Sequence, residues 1–284
     1  MIDVVVIGAG PAGLSASLQL ERYGLGTILF EKDRPGGLLF DANLVENYPG
    51  FAEGISGTLL AKRITRHARL IGVEIVLDEV IGLREVSDSI EVRTDRGVHN
   101  ARAVIIATGT RPRIPSLPGV RENIDRIDFG MGSFEDIEGP LQVAVIGGGD
   151  AAYDYGLNLA GKGAICTIIC RSEPKALKIL RERAAENDSI RVLNGVEIER
   201  ITRDDTGFNL EYEQGKEIHA DRLLMAVGRD PCDDMVSDPL PPGVFKIGDM
   251  VNGPRRQAAI AAGDGIRCAF DVMEFLRDRY DTRR

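Results

Sequence analysis

The sequence predicts an α/β protein of two Rossmann-like lobes, each a three-layer ββα unit, and three observations carry that expectation. Ile2 to Gly13 runs from an apolar strand into Gly8, Gly10 and Gly13 at the G-x-G-x-x-G spacing. Leu141 to Ala152 repeats the pattern with Gly147, Gly149 and Ala152, an accepted variant in the third place. Two later strands each end in a small-residue turn followed by Arg-Pro or Arg-Asp-Pro, Ala107-Thr108-Gly109-Thr110-Arg111-Pro112 and Gly228-Arg229-Asp230-Pro231. One architecture is used twice.

The first lobe begins with a strand, Val4 to Ile7, buried on both faces, and a helix from Leu14 to Tyr23. Gly8 allows the tight turn, Gly10 lets a pyrophosphate approach the backbone, and Gly13 lets helix and strand pack closely. The helix N-terminus offers free N–H groups and a partial positive charge to phosphates. A second strand, Thr27 to Phe30, ends in Glu31, about 20 residues past the glycines, where a carboxylate accepts from an adenosine ribose. Gly36 and Gly37 let the backbone lie against a flat ligand. Ser56 caps a helix to Gly72, with apolar residues recurring at three and four. Val73–Leu77, Glu79–Val86, Ser89–Thr94 and Val98–Asn100 read as strands of a hairpin meander turned at Asp95-Arg96-Gly97. Ala103–Ala107 reads as a separate buried strand, and Arg113 to Gly119 as a proline-rich linker.

In the second lobe a helix, Ala151 to Leu159, and a strand, Ile165 to Ile169, follow Gly147, Gly149, Asp150 and Ala151. Cys170 and Arg171 stand where the first lobe has its acid. A basic group there accommodates a 2′-phosphate that an acid repels. Lys175 and Lys178 lie just beyond, so the lobe leans towards NADPH over NADH. The other reading of Arg171 and the lysines is a solvated loop and helix start. Short strands follow at Ile190–Leu193, Val196–Arg203, Phe208–Glu213, Lys216–Ala220 and Leu223–Val227. Val244–Ile247 leads into Gly248-Asp249, and a small-residue helix, Ala258 to Arg279, carries Gly263 and Gly265, which suit close packing. The expected division is 1–112 with 241–284, and 113–240 inserted.

Of the 284 residues, 44 are acidic and 35 basic, a net charge of −9. That argues against a nucleic-acid partner. No apolar run approaches the roughly 18 residues of a membrane helix, and the start shows no basic leader. Four cysteines do not make a secreted disulfide scaffold. A cytoplasmic protein that does not enter a membrane is expected. His67, His99 and His219 show no triad or metal pattern, so no metal is expected.

At this point the chain resembles the low-molecular-weight thioredoxin reductases and their relatives among the two-dinucleotide flavoproteins, over nearly its whole length. The resemblance rests on Gly8-Ala9-Gly10-Pro11-Ala12-Gly13, Gly36-Gly37-Leu38-Leu39, Glu46-Asn47-Tyr48-Pro49-Gly50-Phe51, Ala107-Thr108-Gly109, Gly147-Gly148-Gly149-Asp150-Ala151-Ala152, Val244 to Asp249 and Arg256-Gln257-Ala258. It implies the glutathione/thioredoxin reductase-type fold, a homodimer, FAD in the first lobe and a pyridine nucleotide in the second. The implied FAD residues are Gly8, Gly10, Pro11, Ala12, Glu31, Lys32, Gly36, Gly37, Leu38 and Leu39 from the first third of the chain. Asn47, Val80, Ala107, Thr108 and Gly109 join them, and Gly248, Asp249, Arg256, Gln257 and Ala258 complete the set. The nucleotide set is Gly147, Gly149, Asp150, Ala151, Arg171 and Lys175.

The chain departs from the family's pattern where the redox chemistry lies. The family's Cys-x-x-Cys falls on Gly130-Met131-Gly132-Ser133, so both cysteines are replaced, and Phe134 stands where the family has an acid. Leu38 replaces the usual Gln, and the His-Arg-Arg signature becomes Cys170-Arg171-Ser172. Cys166 and Cys170 on one strand lie about 13 Å apart, beyond the roughly 7 Å a disulfide allows. Cys232 and Cys268 can meet only through the fold. Ser133 is the one candidate for chemistry near the flavin. The expectation is an FAD-dependent oxidoreductase passing electrons between NAD(P)H and an acceptor, a redox protein or a small molecule, without a dithiol of its own. Two alternatives stay open: a flavoprotein reduced by ferredoxin or another protein carrier, and a non-catalytic FAD-binding redox-sensing subunit.

Overall fold

The computed structural model describes residues 1–134, 137, 140–235 and 239–280. In chain order the elements are β1 (Ile2–Ile7), α1 (Pro11–Arg22), β2 (Thr27–Glu31), β3 (Leu44–Val45), β4 (Ile55–Ser56), α2 (Gly57–Ile71), β5 (Glu74–Leu77), β6 (Val80–Val86), β7 (Ser89–Thr94), β8 (Val98–Ile106) and β9 (Thr110–Pro112). Then come β10 (Gln142–Ile146), α3 (Asp150–Gly161), β11 (Ile165–Cys170), α4 (Lys178–Ala185), β12 (Ile190–Asn194), β13 (Ile198–Arg203), β14 (Phe208–Tyr212), β15 (Lys216–Ala220), β16 (Arg222–Met225), β17 (Arg229–Pro231), β18 (Val244–Lys246) and α5 (Ala258–Tyr280). The chain divides into two compact units, one of residues 1–39, 45–111 and 230–284, the other of 40–44 and 112–229.

In the first unit β5, β2, β1, β8 and β18 form a parallel sheet. Its strands read as unbroken apolar runs because both faces are covered. Val4, Val6, Leu29, Ala103 and Ile105 pack under α1 and α5. Val5, Ile7, Phe30, Val104 and Ile106 alternate onto the other face, against Val80, Ile90 and Val92 of the meander. The three layers are thus written in the period of two along each strand. Burying one such Val or Ile contributes about 1.5–3 kcal/mol.

The second unit repeats the plan. The parallel order is β12-β11-β10-β16, beside an antiparallel sheet of β13-β14-β15. Val143, Val145, Cys166, Ile168 and Cys170 face the helices, with Ala152, Tyr153 and Leu159 of α3. Ala144, Ile169 and Met225 face Ile201, Phe208 and Leu210 of the meander.

Three expectations are corrected. Val73–Leu77 does not belong to the meander: β5 pairs in parallel with β2, because its connection to that sheet is the crossover helix α2. Val98–Asn100 and Ala103–Ala107 are one strand, which pairs antiparallel with β7 at its start and parallel with β1 along its length from Ala101. The division also shifts at both ends of the insert. Residues 40–44 belong to the second unit, where Asp41 Oδ1 accepts from Met131 N at 2.9 Å and Asn43 N donates to Asp154 at 2.8 Å. Residues 230–240 belong to the first, where Cys232 N donates to Gly109 O at 3.0 Å and Arg111 pairs with Asp234.

Candidate functional site

The first unit's candidate site is built around the N-terminus of α1. Gly8 has a φ of +99°, and a Cβ there would meet Ala107 O at 2.5 Å. The turn after β8 therefore presses directly on the turn after β1. A Cβ at Gly13 would lie 1.9 Å from Gly8 O, which is why helix and strand come so close. Gly10 is the opposite case: a Cβ there meets nothing within 4 Å. Gly10 is also the N-cap of α1 and supplies no side-chain cap to the first-turn N–H groups. Pro11 and Ala12 open the helix.

The other motifs converge on this end. Glu31 accepts from Ala9 N at 2.7 Å through one oxygen and from Asp33 N at 3.0 Å through the other, which fixes its carboxylate at the turn. Gly36 N donates to Ala9 O at 2.7 Å, and a Cβ on Gly37 would stand 3.3 Å from Gly10 Cα. Leu38 is exposed and Leu39 buried on the same 3-10 turn. Gly248, with a φ of +76°, would bring a Cβ to 2.9 Å from Ala12 Cβ. Arg256 Nε donates to Asp249 O at 3.2 Å, and Ala258 begins α5. Asn47 Nδ2 donates to Gln257 Oε1 at 2.7 Å. Thr108 Oγ1 donates to Cys232 O at 2.6 Å. Lys32 lies in an exposed pair with Glu79 at 3.7 Å, and Val80 is buried in the core behind the sheet. Sequence reasoning missed Asn252, whose amide donates to Gly248 O at 3.0 Å and to the buried Asp264 at 2.6 Å. That bond joins the Gly248 turn to α5.

The second unit holds the matching arrangement. A Cβ on Gly147 would meet Ala226 O at 2.5 Å, while one on Gly149 meets nothing within 4 Å. Gly149 caps α3 with no side chain, and Asp150 and Ala151 follow. The strand registers place Cys170 where the first unit has Glu31, since Ile146 pairs with Ile169 as Ile7 pairs with Phe30. Cys170 Sγ donates to Gly147 O at 3.3 Å. Burial pushes its thiol up, so the position is neutral. Arg171 and Lys175 follow on an exposed loop.

Ser133 lies elsewhere in this unit. Its hydroxyl donates to Asp128 Oδ1 at 2.5 Å. Arg222 reaches Asp128 Oδ2 through Nε at 3.0 Å and Nη2 at 2.7 Å, and lies 4.2 Å over the Phe134 ring. A Cβ on Gly130 would come within 2.7 Å of Asp41 Oδ2. All four cysteines are free thiols. Burial raises Cys166 and Cys268 to about 12, and Cys232 alone is part-exposed. Among the described residues no helix is long and apolar enough to cross a membrane.

Each of the two layered units carries an open glycine turn at a helix N-terminus, the geometry that defines the class of dinucleotide-binding folds. The comparisons agree. The chain matches the model of the pyridine nucleotide-disulphide oxidoreductases over residues 2–265, and it belongs to that family. It is 31% identical over 305 residues to the thioredoxin reductase of Mycolicibacterium smegmatis, covering 98% of this chain and 97% of that one. Its fold is similar to the crystal structure of Lactococcus lactis thioredoxin reductase, with a TM-score of 0.89 and 28% identity over 98% of this chain and 100% of that one. The T. acidophilum thioredoxin reductase structure gives 0.85 and 26%, over 96% and 98%. The chain is thus a thioredoxin reductase-like oxidoreductase of the two-lobed α/β fold.

Proposed function

We propose that the protein is an FAD-dependent oxidoreductase that takes electrons from NADPH and delivers them to an acceptor outside its own chain. The observation that carries this is the pair of cradles with unlike ends: a carboxylate, Glu31, in the first and a neutral thiol followed by Arg171 in the second. In the first unit, Gly10 and the uncapped N–H groups of α1 hold the pyrophosphate of FAD, and Glu31 takes an adenosine ribose. The Gly36-Gly37 turn, the Ala107–Gly109 turn and the Gly248-Asp249 turn flank the same helix end. Bound FAD supplies electron transfer between a nicotinamide and an acceptor, chemistry that no side chain offers. In the second unit, Gly149 and the N-terminus of α3 hold a pyrophosphate. Cys170 brings no negative charge against a 2′-phosphate, and Arg171 and Lys175 attract it.

The relatives are named thioredoxin reductases. This chain has Gly130 and Ser133 where the resemblance puts the redox pair, and its three buried cysteines stand apart from that stretch. The acceptor therefore meets the flavin without a dithiol of this chain between them. We read the molecule as a homodimer in the cytoplasm; Ile266 and Phe270, one turn apart on α5, are exposed apolar residues suited to a second copy.

The test is stopped-flow reduction of the purified protein's flavin by NADPH, NADH and reduced ferredoxin. Fastest reduction by NADPH is expected. Reduction by ferredoxin alone would move the function to a protein-carrier flavoprotein. Absence of flavin, with no uptake of added FAD by the folded protein, would remove the first-lobe reading.

A further inference from the structure

The loop that carries Arg171 and Lys175 is fastened to the second unit's phosphate turn at several points. Gly148 O accepts from Lys175 N at 2.8 Å and from Ala176 N at 3.1 Å. Asp150 Oδ1 accepts from Leu177 N at 2.8 Å. The loop also runs close over the turn, since a Cβ on Gly148 would lie 3.8 Å from Pro174 Cα and 3.5 Å from Cys170 Sγ. Its inner end is fixed by Cys170 on Gly147 O, and its outer end by Asp150.

Asp150 needs an explanation on charge grounds. It is the first residue of α3, beside an anion cradle. A carboxylate there suits the helix dipole but opposes a bound pyrophosphate. Its Oδ1 accepts instead from a backbone N–H of the loop, that of Leu177. We propose that Asp150 is a positioning residue: it ties the 171–177 loop to the phosphate turn, and that tie sets the preference for a nucleotide bearing a 2′-phosphate. The inference rests on the nucleotide reading of the second unit. A loop ordered before binding presents Arg171 and Lys175 without the entropic cost of ordering them afterwards. That advantage falls mainly to NADP, because its 2′-phosphate is the group those cations meet.

The tie is breakable from either end. Asp150→Ala removes the acceptor. Asp150→Asn keeps an oxygen acceptor and removes only the charge. Leu177→Pro removes the donor, and Leu177 has a φ of −52°, which proline accepts without strain. Isothermal titration of the flavin-loaded protein with NADP+ and NAD+ gives the ratio of the two dissociation constants, with thermal midpoints to verify folding. Asp150→Ala and Leu177→Pro are each expected to cut the NADP+ preference about fivefold, mostly by weakening NADP+ binding. Asp150→Asn is expected to stay within about twofold of the parent ratio, since the tie remains. An unchanged ratio in folded Asp150→Ala or Leu177→Pro would overturn the proposal. So would a fall in Asp150→Asn equal to that in Asp150→Ala, which would assign the effect to charge. Binding of neither nucleotide by the parent protein would instead defeat the nucleotide reading itself, and this inference with it.

Discussion

Gly263 and Gly265 lie two residues apart on α5, and the structure gives substitutions there opposite signs. A Cβ on Gly265 would stand 2.2 Å from Ala12 O and 2.8 Å from Ala16 N. Both neighbours are backbone of α1, so no side chain can rotate away and one helix must move. Overpacking of this kind costs about 3 kcal/mol. Replacing a helical glycine by alanine returns about 1 kcal/mol of helix propensity. The net loss for Gly265→Ala is about 2 kcal/mol, which lowers the thermal midpoint by about 5 °C at 2–4 °C per kcal/mol. A Cβ on Gly263 meets nothing within 4 Å, so Gly263→Ala keeps the propensity gain and raises the midpoint by about 2 °C. Ala12 lies in the first turn of α1, so the Gly265 variant is also expected to retain less flavin on purification. Scanning calorimetry and flavin absorbance of the two variants supply the measurement. A Gly265→Ala protein as stable as the parent, or a Gly263→Ala protein the less stable of the pair, would refute the packing argument.

Arg171→Ala is expected to cost roughly tenfold to a hundredfold in NADPH preference, as one charge contact near a surface is worth about 1–3 kcal/mol; equal flavin reduction by both nucleotides in the parent would count against it. Ser133→Ala is expected to lower stability by about 1 kcal/mol and leave flavin reduction unchanged, because its hydroxyl serves Asp128; a tenfold slower reaction at unchanged stability would return Ser133 to a chemical role. Thioredoxin-coupled turnover is expected to be absent from the parent, and from Gly130→Cys/Ser133→Cys unless Asp41 is also shortened, since a Cβ at 130 would meet Asp41 Oδ2 at 2.7 Å. A chromogenic disulfide at pH 8 is expected to label Cys232 in the native protein and all four cysteines after denaturation. Cys166 and Cys268 rise from 9.0 to about 12 on folding, so they hold their protons more tightly folded than unfolded. Their contribution to stability is complete below about pH 9 and declines as pH rises towards 12. Rapid native labelling of two or more thiols would contradict that burial.

What was legible in the sequence was what is local. The strand, the glycines and Glu31 fall within about 30 consecutive residues, so their spacing alone places them at one turn. The equivalence of Cys170 to Glu31 was legible for the same reason, because the fingerprint recurs. The bonds that join distant segments left no such trace. Asp128 and Arg222 are 94 residues apart and Met131 and Asp41 are 90 apart, and no periodicity marks either pair. β5 pairs with β2, not with β6, its neighbour in sequence. Its four residues carry no sign of which strand they will join. β8 reads as two strands because Val98 and Asn100 are exposed and Arg102 is part-exposed, whereas Ala103 to Ile106 are fully buried.

The five residues 40–44 bear on how this molecule came to be assembled and how it can be taken apart. The inserted unit is not a cassette that can be excised by cutting at 112 and 229. Such a fragment would lose the carboxylate that receives Met131 N and the backbone donor that meets Asp154. A library that swaps this unit for one from a relative would have to exchange the short segment as well. The boundary relevant to recombination is therefore drawn at four places in the chain, two of which lie inside the first 45 residues.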